Sequence, residues 1–219
     1  MLVLGIDEAG RGAVIGPMVI AGVMIEEKDL VKLKRIGVKD SKLLSPKQRE
    51  KLYPMIKRIA KDYVSLKIPA KEIDELRKVK NLNKIEAERM AEIIRIMKAN
   101  IAYVDAPQTS TEKFKSYLLA LAKNNTEIIA ENYADKKYVV VGAASIIAKV
   151  ERDEEIEKIK KAVGVDFGVG YSHDQLTIKF LKELIKKGEY PDFVRKSWIT
   201  AIELRGKKQQ KSLKEFGDD

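Results

Sequence analysis

The hydrophobic positions at the start of the chain predict two neighbouring β-strands. Residues 2–6 are mostly aliphatic, and a second apolar run extends over residues 14–25 with glycines inside it. Apolar runs of this length that are bounded by turn residues are typical of strands inside a sheet. Because only a short glycine-containing segment separates the two runs, we expect them to pair as a hairpin.

A helix with a well-marked beginning is predicted after residue 44. Ser45 can cap it, Pro46 suits its first position, and Gln48 can reach back to the capping backbone. The side chains expected to be buried are Leu52, Met55, Ile56 and Ile59. Pro54 lies in the same segment and is expected to kink or divide the helix, because proline lacks a backbone N–H donor.

Further along the chain, strand and helix patterns alternate. The apolar runs that predict strands are residues 63–68, 101–105 and 127–130, and residues 142–153 predict a helix. Another helix has a core-facing side made of Met90, Ile93, Ile94 and Met97. Strands that alternate with helices indicate an α/β protein, and the opening hairpin makes its sheet mixed.

No low-complexity linker or internal repeat interrupts the chain before about residue 200. We therefore interpret residues 1–200 as one domain with helices appended to its C-terminal part. Residues 201–219 form a basic tail in this interpretation, because residues 205–214 hold five basic groups and no acid.

The composition favours a polyanionic partner. The 219 residues include 43 Lys and Arg against 33 Asp and Glu, a formal net charge of +10, which suits nucleic acid but also a solvated, lysine-rich surface. Cysteine does not occur, which excludes disulfides and thiolate metal sites. The apolar start is too short for a signal peptide or a membrane span, so we expect a cytoplasmic protein.

Four carboxylates share one kind of position in the predicted sheet. Asp7, Glu8, Asp105 and Asp135 all lie at or just past strand ends, where an α/β sheet exposes its functional crevice. Carboxylates without His or Cys partners suit Mg²⁺ or Mn²⁺, and four can hold two ions. Two such ions about 4 Å apart promote in-line displacement at phosphorus. A single strand-end Asp is more often a cap or turn residue, so the interpretation depends on convergence of the four.

The first two of these acids raise a geometric difficulty. Adjacent side chains on a regular strand face opposite ways, so Asp7 and Glu8 can share a site only where the strand ends, twists or bulges. Gly10 and Gly12 favour such an irregularity.

Two other polar features carry less information. His173 is the one histidine of the chain, and we expect it to be a surface or polar-contact residue rather than a metal ligand. Lys149 and Asp153 are four residues apart on the predicted helix. That spacing fits either an intrahelical ion pair or a phosphate-binding face.

Several segments, taken in order, resemble one enzyme family. They are GIDEAGRG at residues 5–12, DSK at 40–42, VD at 104–105, Asp135, and AASIIAK at 143–149 followed by RD at 152–153. Together they resemble ribonuclease HII, the type 2 ribonuclease H, in its archaeal form. The likeness runs from residue 5 to about residue 200.

The resemblance implies an RNase H-like fold with additional C-terminal helices, and it assigns metal binding and catalysis to Asp7, Glu8, Asp105 and Asp135. With Mg²⁺ or Mn²⁺, such an enzyme cleaves RNA in an RNA–DNA hybrid, or cuts on the 5′ side of a ribonucleotide embedded in duplex DNA. The products carry 3′-hydroxyl and 5′-phosphate ends. We expect a monomer that serves DNA replication and repair.

The substrate contacts implied by the resemblance are those of Gly10, Arg11, Gly12, Lys42, Lys149 and Tyr171. The glycines would let backbone groups approach the ribose 2′-hydroxyl, because a Cβ would block that approach. The tyrosine would assist at the same ribose, and the lysines would meet phosphates. Ser172 and His173 depart from the usual archaeal pattern after this tyrosine.

Two other functions compete with this hypothesis. A catalytically silent protein that binds RNA–DNA hybrids would share the basic composition, but we would expect it to lack one or more of the four acids. Another two-metal nuclease of related fold, such as a resolvase or an exonuclease, would keep the acids. Such an enzyme has no 2′-hydroxyl to recognise, so the Gly-Arg-Gly segment at residues 10–12 argues against it.

The basic tail contains a second candidate motif. Gln210, Leu213 and Phe216 are spaced by three residues, which would place a glutamine and two apolar side chains on one side of a helical turn. The spacing resembles the sliding-clamp (PCNA) interaction motif of archaeal relatives, although Gly217 stands where the motif normally has a second aromatic residue. The resemblance implies weak recruitment by the clamp.

Overall fold

The structure is a computed structural model that describes residues 1–38, 43–107 and 110–206. Its strands are β1 (Leu2–Ala9), β2 (Met18–Glu26), β3 (Asp62–Ile68), β4 (Ile101–Asp105) and β5 (Glu127–Glu131). They form one sheet in the order β3-β2-β1-β4-β5. β1 pairs with β2 in antiparallel orientation and with β4 in parallel orientation, and β4 is parallel to β5. The predicted mixed sheet and its opening hairpin are therefore confirmed.

The helices are α1 (Leu30–Arg35), α2 (Pro46–Ile59), α3 (Ala70–Arg77), α4 (Leu82–Met97), α5 (Thr111–Ala122), α6 (Ala134–Lys137), α7 (Val139–Val163) and α8 (Gln175–Lys187). Glu27–Asp29 forms a short 3-10 turn, and residues 199–206 are helical. Among the described residues, no helix is long and apolar enough to cross a membrane.

Local sequence rules account closely for the beginning of α2. The Ser45 hydroxyl accepts a hydrogen bond from the backbone N–H of Gln48 at 3.3 Å, and the Gln48 side chain accepts one from the N–H of Ser45 at 2.8 Å. The predicted capping box is confirmed. The helix continues through Pro54 as one element rather than dividing. Met55 is 38% exposed, so its predicted burial was wrong, whereas Ile56 is buried.

The described residues fall into two compact units. The first unit consists of Met1–Ala9, Val19–Lys67 and Lys80–Arg152, and the second consists of Gly10–Met18, Ile68–Val79 and the residues from Asp153 onward. The interpretation of residues 1–200 as one domain with a separate tail stays a prediction.

The first unit contains the sheet and the first half of α7. Its core includes many β-branched and small residues of β1, β2 and α7, among them Val19, Val23 and Ile146. Gly5 lies directly against the backbone of Val140, so that a Cβ at this position would overlap the Val140 carbonyl group. This close approach fixes the start of α7 against β1.

The second unit has an apolar core of its own. Ile15, Phe167, Leu181 and Val194 are buried together in it. The N-cap of α8 is Asp174, whose carboxylate accepts hydrogen bonds from the backbone N–H groups of its neighbours. This unit therefore has the interior that a stable scaffold for the segment at residues 10–18 requires.

Candidate active site

Three acidic side chains converge in the first unit. Asp7 and Glu8 lie on β1 and Asp105 ends β4, and each offers one carboxylate oxygen within 4.8 Å of the other two. Asp7 is buried, whereas Glu8 and Asp105 are half-buried. In the part of the chain that the structure describes, this is the one group of at least three His, Cys, Asp or Glu residues close enough to share an ion.

The strand pairing explains how these acids meet. The parallel ladder between β1 and β4 ends at the pair Ile6–Val104, so Asp7 and Asp105 each follow the last paired residue. The ladder between β1 and β2 continues to Ala9. Asp7 and Glu8 therefore lie inside a strand, and the expectation that they lie at or past its end was wrong. The relevant boundary is the end of one ladder rather than the end of β1.

A local hydrogen bond helps two adjacent side chains to approach each other. The backbone N–H of Glu8 donates to Oδ1 of Asp7 at 2.7 Å. This bond turns the Asp7 carboxylate along the strand toward Glu8, although adjacent side chains start on opposite faces. The antiparallel register with β2 continues through both acids, so they meet without the strand end or bulge that the sequence analysis considered.

Asp135 occupies a different position from the three clustered acids. It is 4% exposed and lies in α6, not in the polar turn predicted for it. The residue before it, Ala134, donates its backbone N–H to Oδ1 of Asp105 at 2.6 Å. Tyr133 has a left-handed backbone conformation with φ of 58° and turns the chain into α6. Through Ala134, the start of this helix is tied to one of the clustered carboxylates.

The electrostatics of the cluster are unfavourable without a cation. Burial raises the pKa of Glu8 well above its ordinary value, and the negative charges of Asp7, Glu86 and Asp105 raise it further, in that order. Glu86, which is 1% exposed on α4, is an additional acid that the sequence interpretation missed. A set of hard oxygen donors with excess negative charge fits a divalent ion such as Mg²⁺ or Mn²⁺.

Lys149 lies on α7 in the same unit. Its ammonium group donates a hydrogen bond to the hydroxyl of Ser145 at 2.6 Å, one turn earlier on the helix. Ser145 is fully buried, which fixes one end of this bond. The contact holds the ammonium group close to the helix surface while leaving donors available for a phosphate.

The segment at residues 10–18 belongs to the second unit and begins with a tight turn. Gly10 has φ of 79°, a conformation that L side chains rarely adopt, and its carbonyl accepts the backbone N–H of Ala13 at 3.2 Å. Gly12 differs from it: its φ lies outside the left-handed region, it is exposed, and a Cβ there would meet no atom of the described residues within 4 Å. Within this part of the chain, neither backbone conformation nor packing requires glycine at position 12.

Tyr171 belongs to the same unit. Its backbone forms an isolated bridge with Ala13, and its half-buried ring stacks on the exposed ring of His173 with centroids 5.5 Å apart. The preceding residue, Gly170, accepts the backbone N–H groups of Val14 and Ile15 at 2.9 and 3.0 Å. The turn at residues 10–13 and the tyrosine segment therefore share backbone contacts.

A family model for ribonuclease HII matches residues 4–201. The chain belongs to the ribonuclease HII family. A ribonuclease HII from Methanothrix thermoacetophila is 44% identical over 206 residues, covering 94% of this chain and 98% of that protein. The crystal structure of ribonuclease H2 from Pyrococcus horikoshii has a TM-score of 0.89 at 44% identity and covers 96% of this chain and 100% of that one.

A third relative was solved together with a partner protein. The structure of the PCNA:RNase HII complex from Archaeoglobus fulgidus matches with a TM-score of 0.84 and 45% identity, and covers 90% of this chain and 95% of that one. Family membership makes the present chain a ribonuclease H, a hydrolase that cleaves the RNA of RNA–DNA hybrids. The predicted RNase H-like fold and ribonuclease activity are confirmed.

Some predicted site residues lie outside the described residues. They are Lys42 in the substrate set and Gln210, Leu213 and Phe216 in the clamp motif. The roles assigned to the other site residues of this ribonuclease HII stay predictions.

The sequence interpretation missed three polar residues. Glu86 reads as an ordinary surface residue of an amphipathic helix, and Ser145 as a small residue in an apolar run. Arg195 follows Val194 in a basic stretch, yet it is fully buried. Local sequence patterns do not indicate that these polar side chains are buried, because their burial is set by elements distant in sequence.

Proposed function

We propose that this ribonuclease HII cuts on the 5′ side of ribonucleotides, both in hybrids and singly embedded in duplex DNA, with Asp7, Glu8, Asp105 and Asp135 as its metal-binding acids. The observation that carries the proposal is the convergence of three carboxylates in a chain of net charge +10. Such an acidic cluster has an evident use if a cation links it to a phosphate. Hydrolysis breaks the bond between phosphorus and O3′ and leaves 3′-hydroxyl and 5′-phosphate ends.

The acids have distinct tasks in this proposal. Asp7, Glu8 and Asp105 supply the oxygens that hold Mg²⁺ or Mn²⁺, and Asp135 completes the set from α6. Bound divalent ions stabilise charge at phosphorus and activate water for in-line attack. The N–H of Ala134 bonds to Oδ1 of Asp105 and helps to orient this carboxylate.

Recognition of the ribonucleotide falls to Gly10, Arg11, Gly12 and Tyr171. The main support is Gly12, whose exposed position has room for a Cβ among the residues that the structure describes. Its glycine is then explained by close approach of the ribose. Tyr171 shares backbone contacts with the same turn, and its hydroxyl can bond near that ribose.

Lysines supply the sequence-independent part of binding. Lys149, held by Ser145, and Lys42 would each contact a phosphate oxygen. Affinity from such contacts falls as salt rises, because binding releases counterions. We place the protein in the cytoplasm as a monomer that acts in DNA replication and repair.

The direct test uses a labelled duplex that carries one ribonucleotide, incubated with Mg²⁺, with Mn²⁺ or with EDTA. We expect metal-dependent cleavage on the 5′ side of the ribonucleotide, with the ends stated above. Binding without cleavage would instead identify a silent hybrid-binding protein. Equal cleavage of an all-DNA duplex would identify a general two-metal nuclease, and a cut on the 3′ side would contradict the assigned register.

The clamp motif supports a second, separate proposal. A relative from Archaeoglobus fulgidus forms a complex with PCNA, and this chain carries Gln210, Leu213 and Phe216 with suitable spacing. The chain is expected to bind the clamp of its own organism, whereas the double variant Leu213→Ala, Phe216→Ala is not. Both proteins should cleave a free oligonucleotide duplex equally. Equal clamp binding by the two proteins, or no binding by either at physiological salt, would leave the tail as a basic arm.

A further inference from the structure

Arg195 is a fully buried cation in the second unit. Its guanidinium donates from Nε to the carbonyl of Gly16 at 3.1 Å, from Nη1 to the carbonyl of Arg11 at 2.9 Å and from Nη2 to the carbonyl of Gly10 at 2.6 Å. A side chain 179 to 185 positions away thus binds three backbone oxygens of one short segment. Hydrogen bonds from an ionised donor are stronger than neutral ones, so the segment is held firmly.

Two of these oxygens belong to the turn proposed to read the ribose. The carbonyl of Gly10 shares a peptide plane with the N–H of Arg11, and the carbonyl of Arg11 shares one with the N–H of Gly12. Both peptides are trans, so each N–H points opposite to its carbonyl. Because the carbonyls face Arg195, the two N–H groups are directed away from the guanidinium.

The charge also affects how strongly those groups can donate. A cation at a carbonyl oxygen polarises the peptide, and hydrogen bonds in such chains strengthen one another. The effect is greatest where the cation is shielded from water, as Arg195 is. The N–H groups of Arg11 and Gly12 are therefore both oriented and made better donors by the same side chain.

We propose that Arg195 is the positioning residue for ribonucleotide recognition: it directs and polarises the backbone N–H groups of Arg11 and Gly12 that bond the ribose 2′-hydroxyl. The inference rests on the proposed function, in which the turn at residues 10–12 recognises that ribose. It adds the group that prepares the turn and names the two donors.

A purely structural role is the alternative, and the surroundings of Arg195 supply a matched control. Two guanidinium groups contact the ring of Trp198: its centroid lies 4.6 Å from Cζ of Arg195 and 4.5 Å from Cζ of Arg77. Arg77 donates to the carbonyl and hydroxyl of Ser197, both at 3.3 Å, rather than to the turn. Arg77→Met thus removes a guanidinium from the same aromatic ring without removing a bond to residues 10–16.

The experiment compares the full-length enzyme with Arg195→Met, Arg195→Lys and Arg77→Met. For each, kcat/KM is measured on a duplex with one ribonucleotide, and the inhibition constant is measured for the all-DNA duplex of the same sequence. Thermal unfolding reports whether each variant is folded. The all-DNA competitor measures phosphate binding alone, which a loss of 2′-hydroxyl recognition does not change.

Arg195→Met is expected to lower kcat/KM at least about 10-fold while the inhibition constant stays within about 2-fold. The kcat/KM of Arg195→Lys should lie between those of Arg195→Met and the wild type. An ammonium group keeps the charge, but it lacks the planar set of N–H donors that can bond several carbonyls at once. Arg77→Met should leave both quantities near the wild-type values.

Three results overturn the inference. One is a folded Arg195→Met that keeps wild-type kcat/KM, and another is an equal loss of kcat/KM and of affinity for all-DNA duplex. If Arg195→Met does not fold, the test passes to Arg195→Lys. Wild-type kcat/KM in that variant is the third result that overturns the inference. If the wild-type enzyme does not distinguish the two duplexes, the proposed function itself has failed. That result is separate, since it involves no variant of Arg195.

Discussion

Buried charge has opposite surroundings in two regions: the acid cluster of the first unit (Asp7, Glu8 and Asp105) and the turn at residues 10–13 of the second unit. The cluster brings carboxylate oxygens of Asp7, Glu8 and Asp105 within 4.8 Å of one another, and burial and the neighbouring acids raise the pKa of Glu8. The turn instead receives the charge of Arg195 on neutral carbonyls of Gly10, Arg11 and Gly16. The proposed ion site thus needs protons or a cation to relieve its repulsion, whereas the proposed hydroxyl site receives its charge from the protein itself.

Asp105→Asn should give the largest effect that separates the two regions. It keeps the size of the side chain and an oxygen for the N–H of Ala134, but it removes a ligand charge. Loss of several kcal/mol of transition-state stabilisation corresponds to about a 1,000-fold fall in cleavage rate. The rate is measured on a labelled hybrid with excess Mg²⁺, and circular dichroism verifies the fold.

Glu131→Gln is the matched control for that variant. Glu131 lies opposite Asp105 on β5, but it pairs with Lys137 and Tyr138 rather than with the cluster. We expect nearly normal cleavage from this control. Wild-type turnover by Asp105→Asn, or an equal loss in Glu131→Gln, would contradict the assignment of the metal site.

A pair of glycine substitutions tests the turn in the same manner. Gly12→Ala should leave the unfolding temperature unchanged and lower kcat/KM on a single-ribonucleotide duplex about 10-fold, because the added methyl meets substrate and not protein. Gly5→Ala should do the reverse: the methyl overlaps the backbone of Val140, and overpacking typically destabilises a protein by about 1–3 kcal/mol. Full activity of Gly12→Ala would remove the reason given for that glycine.

Tyr171→Phe probes the edge of the same turn with a smaller expected effect. Loss of one hydroxyl should lower kcat/KM on the ribonucleotide duplex about 2- to 10-fold while affinity for all-DNA duplex stays constant. Tyr190→Phe serves as the control, because its buried hydroxyl donates to the carbonyl of Ala201 within the core. Parallel losses of cleavage and DNA binding in Tyr171→Phe would make that tyrosine structural.

The smallest expected effect is on stability and concerns Glu8. Because its pKa is raised from the ordinary 4.5, the metal-free folded state binds more protons than the unfolded state. The free energy of unfolding therefore falls as pH rises above about 4.5 and stays reduced beyond the folded-state pKa. Glu8→Gln removes this penalty, so in EDTA at pH 7 it should unfold about 2–4 °C higher than the wild type for each kcal/mol relieved.

Two comparisons check that interpretation. The advantage of Glu8→Gln should shrink toward pH 4 and when Mg²⁺ is added to the wild type, since protons and cations both reduce the repulsion. Glu131→Gln should show no such gain, because Lys137 and Tyr138 lower the pKa of Glu131 and stabilise its charge. The stability difference between metal-free Glu8→Gln and the metal-free wild type is compared at the two pH values. A smaller advantage of the variant at pH 7 than at pH 4 would contradict the electrostatic argument.

The sequence predicted the features that depend on neighbouring residues. The capping box of α2 needs only Ser45 and Gln48, and the stripe of α4 only its own periodicity, so both are confirmed. The prediction for Met55 was wrong because helical spacing gives the direction of a side chain but not the width of the surface that covers it.

The parts of the candidate site that depend on distant pairings were less accessible. The place where Asp7 and Asp105 meet is set by the end of the ladder between β1 and β4, which no local pattern encodes. Likewise, Glu86 and Arg195 are charged residues that become buried only through tertiary packing. Charged residues are mostly exposed, so a sequence gives them a surface location by default.

The contact between Arg195 and uncharged carbonyls has a consequence for ionic strength. Mobile ions screen exposed charges and weaken phosphate contacts, but they do not reach a guanidinium that is fully buried. The turn proposed to read the ribose should therefore keep its shape in concentrated salt while overall affinity for DNA declines. We therefore expect discrimination between ribose and deoxyribose to be kept in concentrated electrolytes, where only the general affinity for nucleic acid declines.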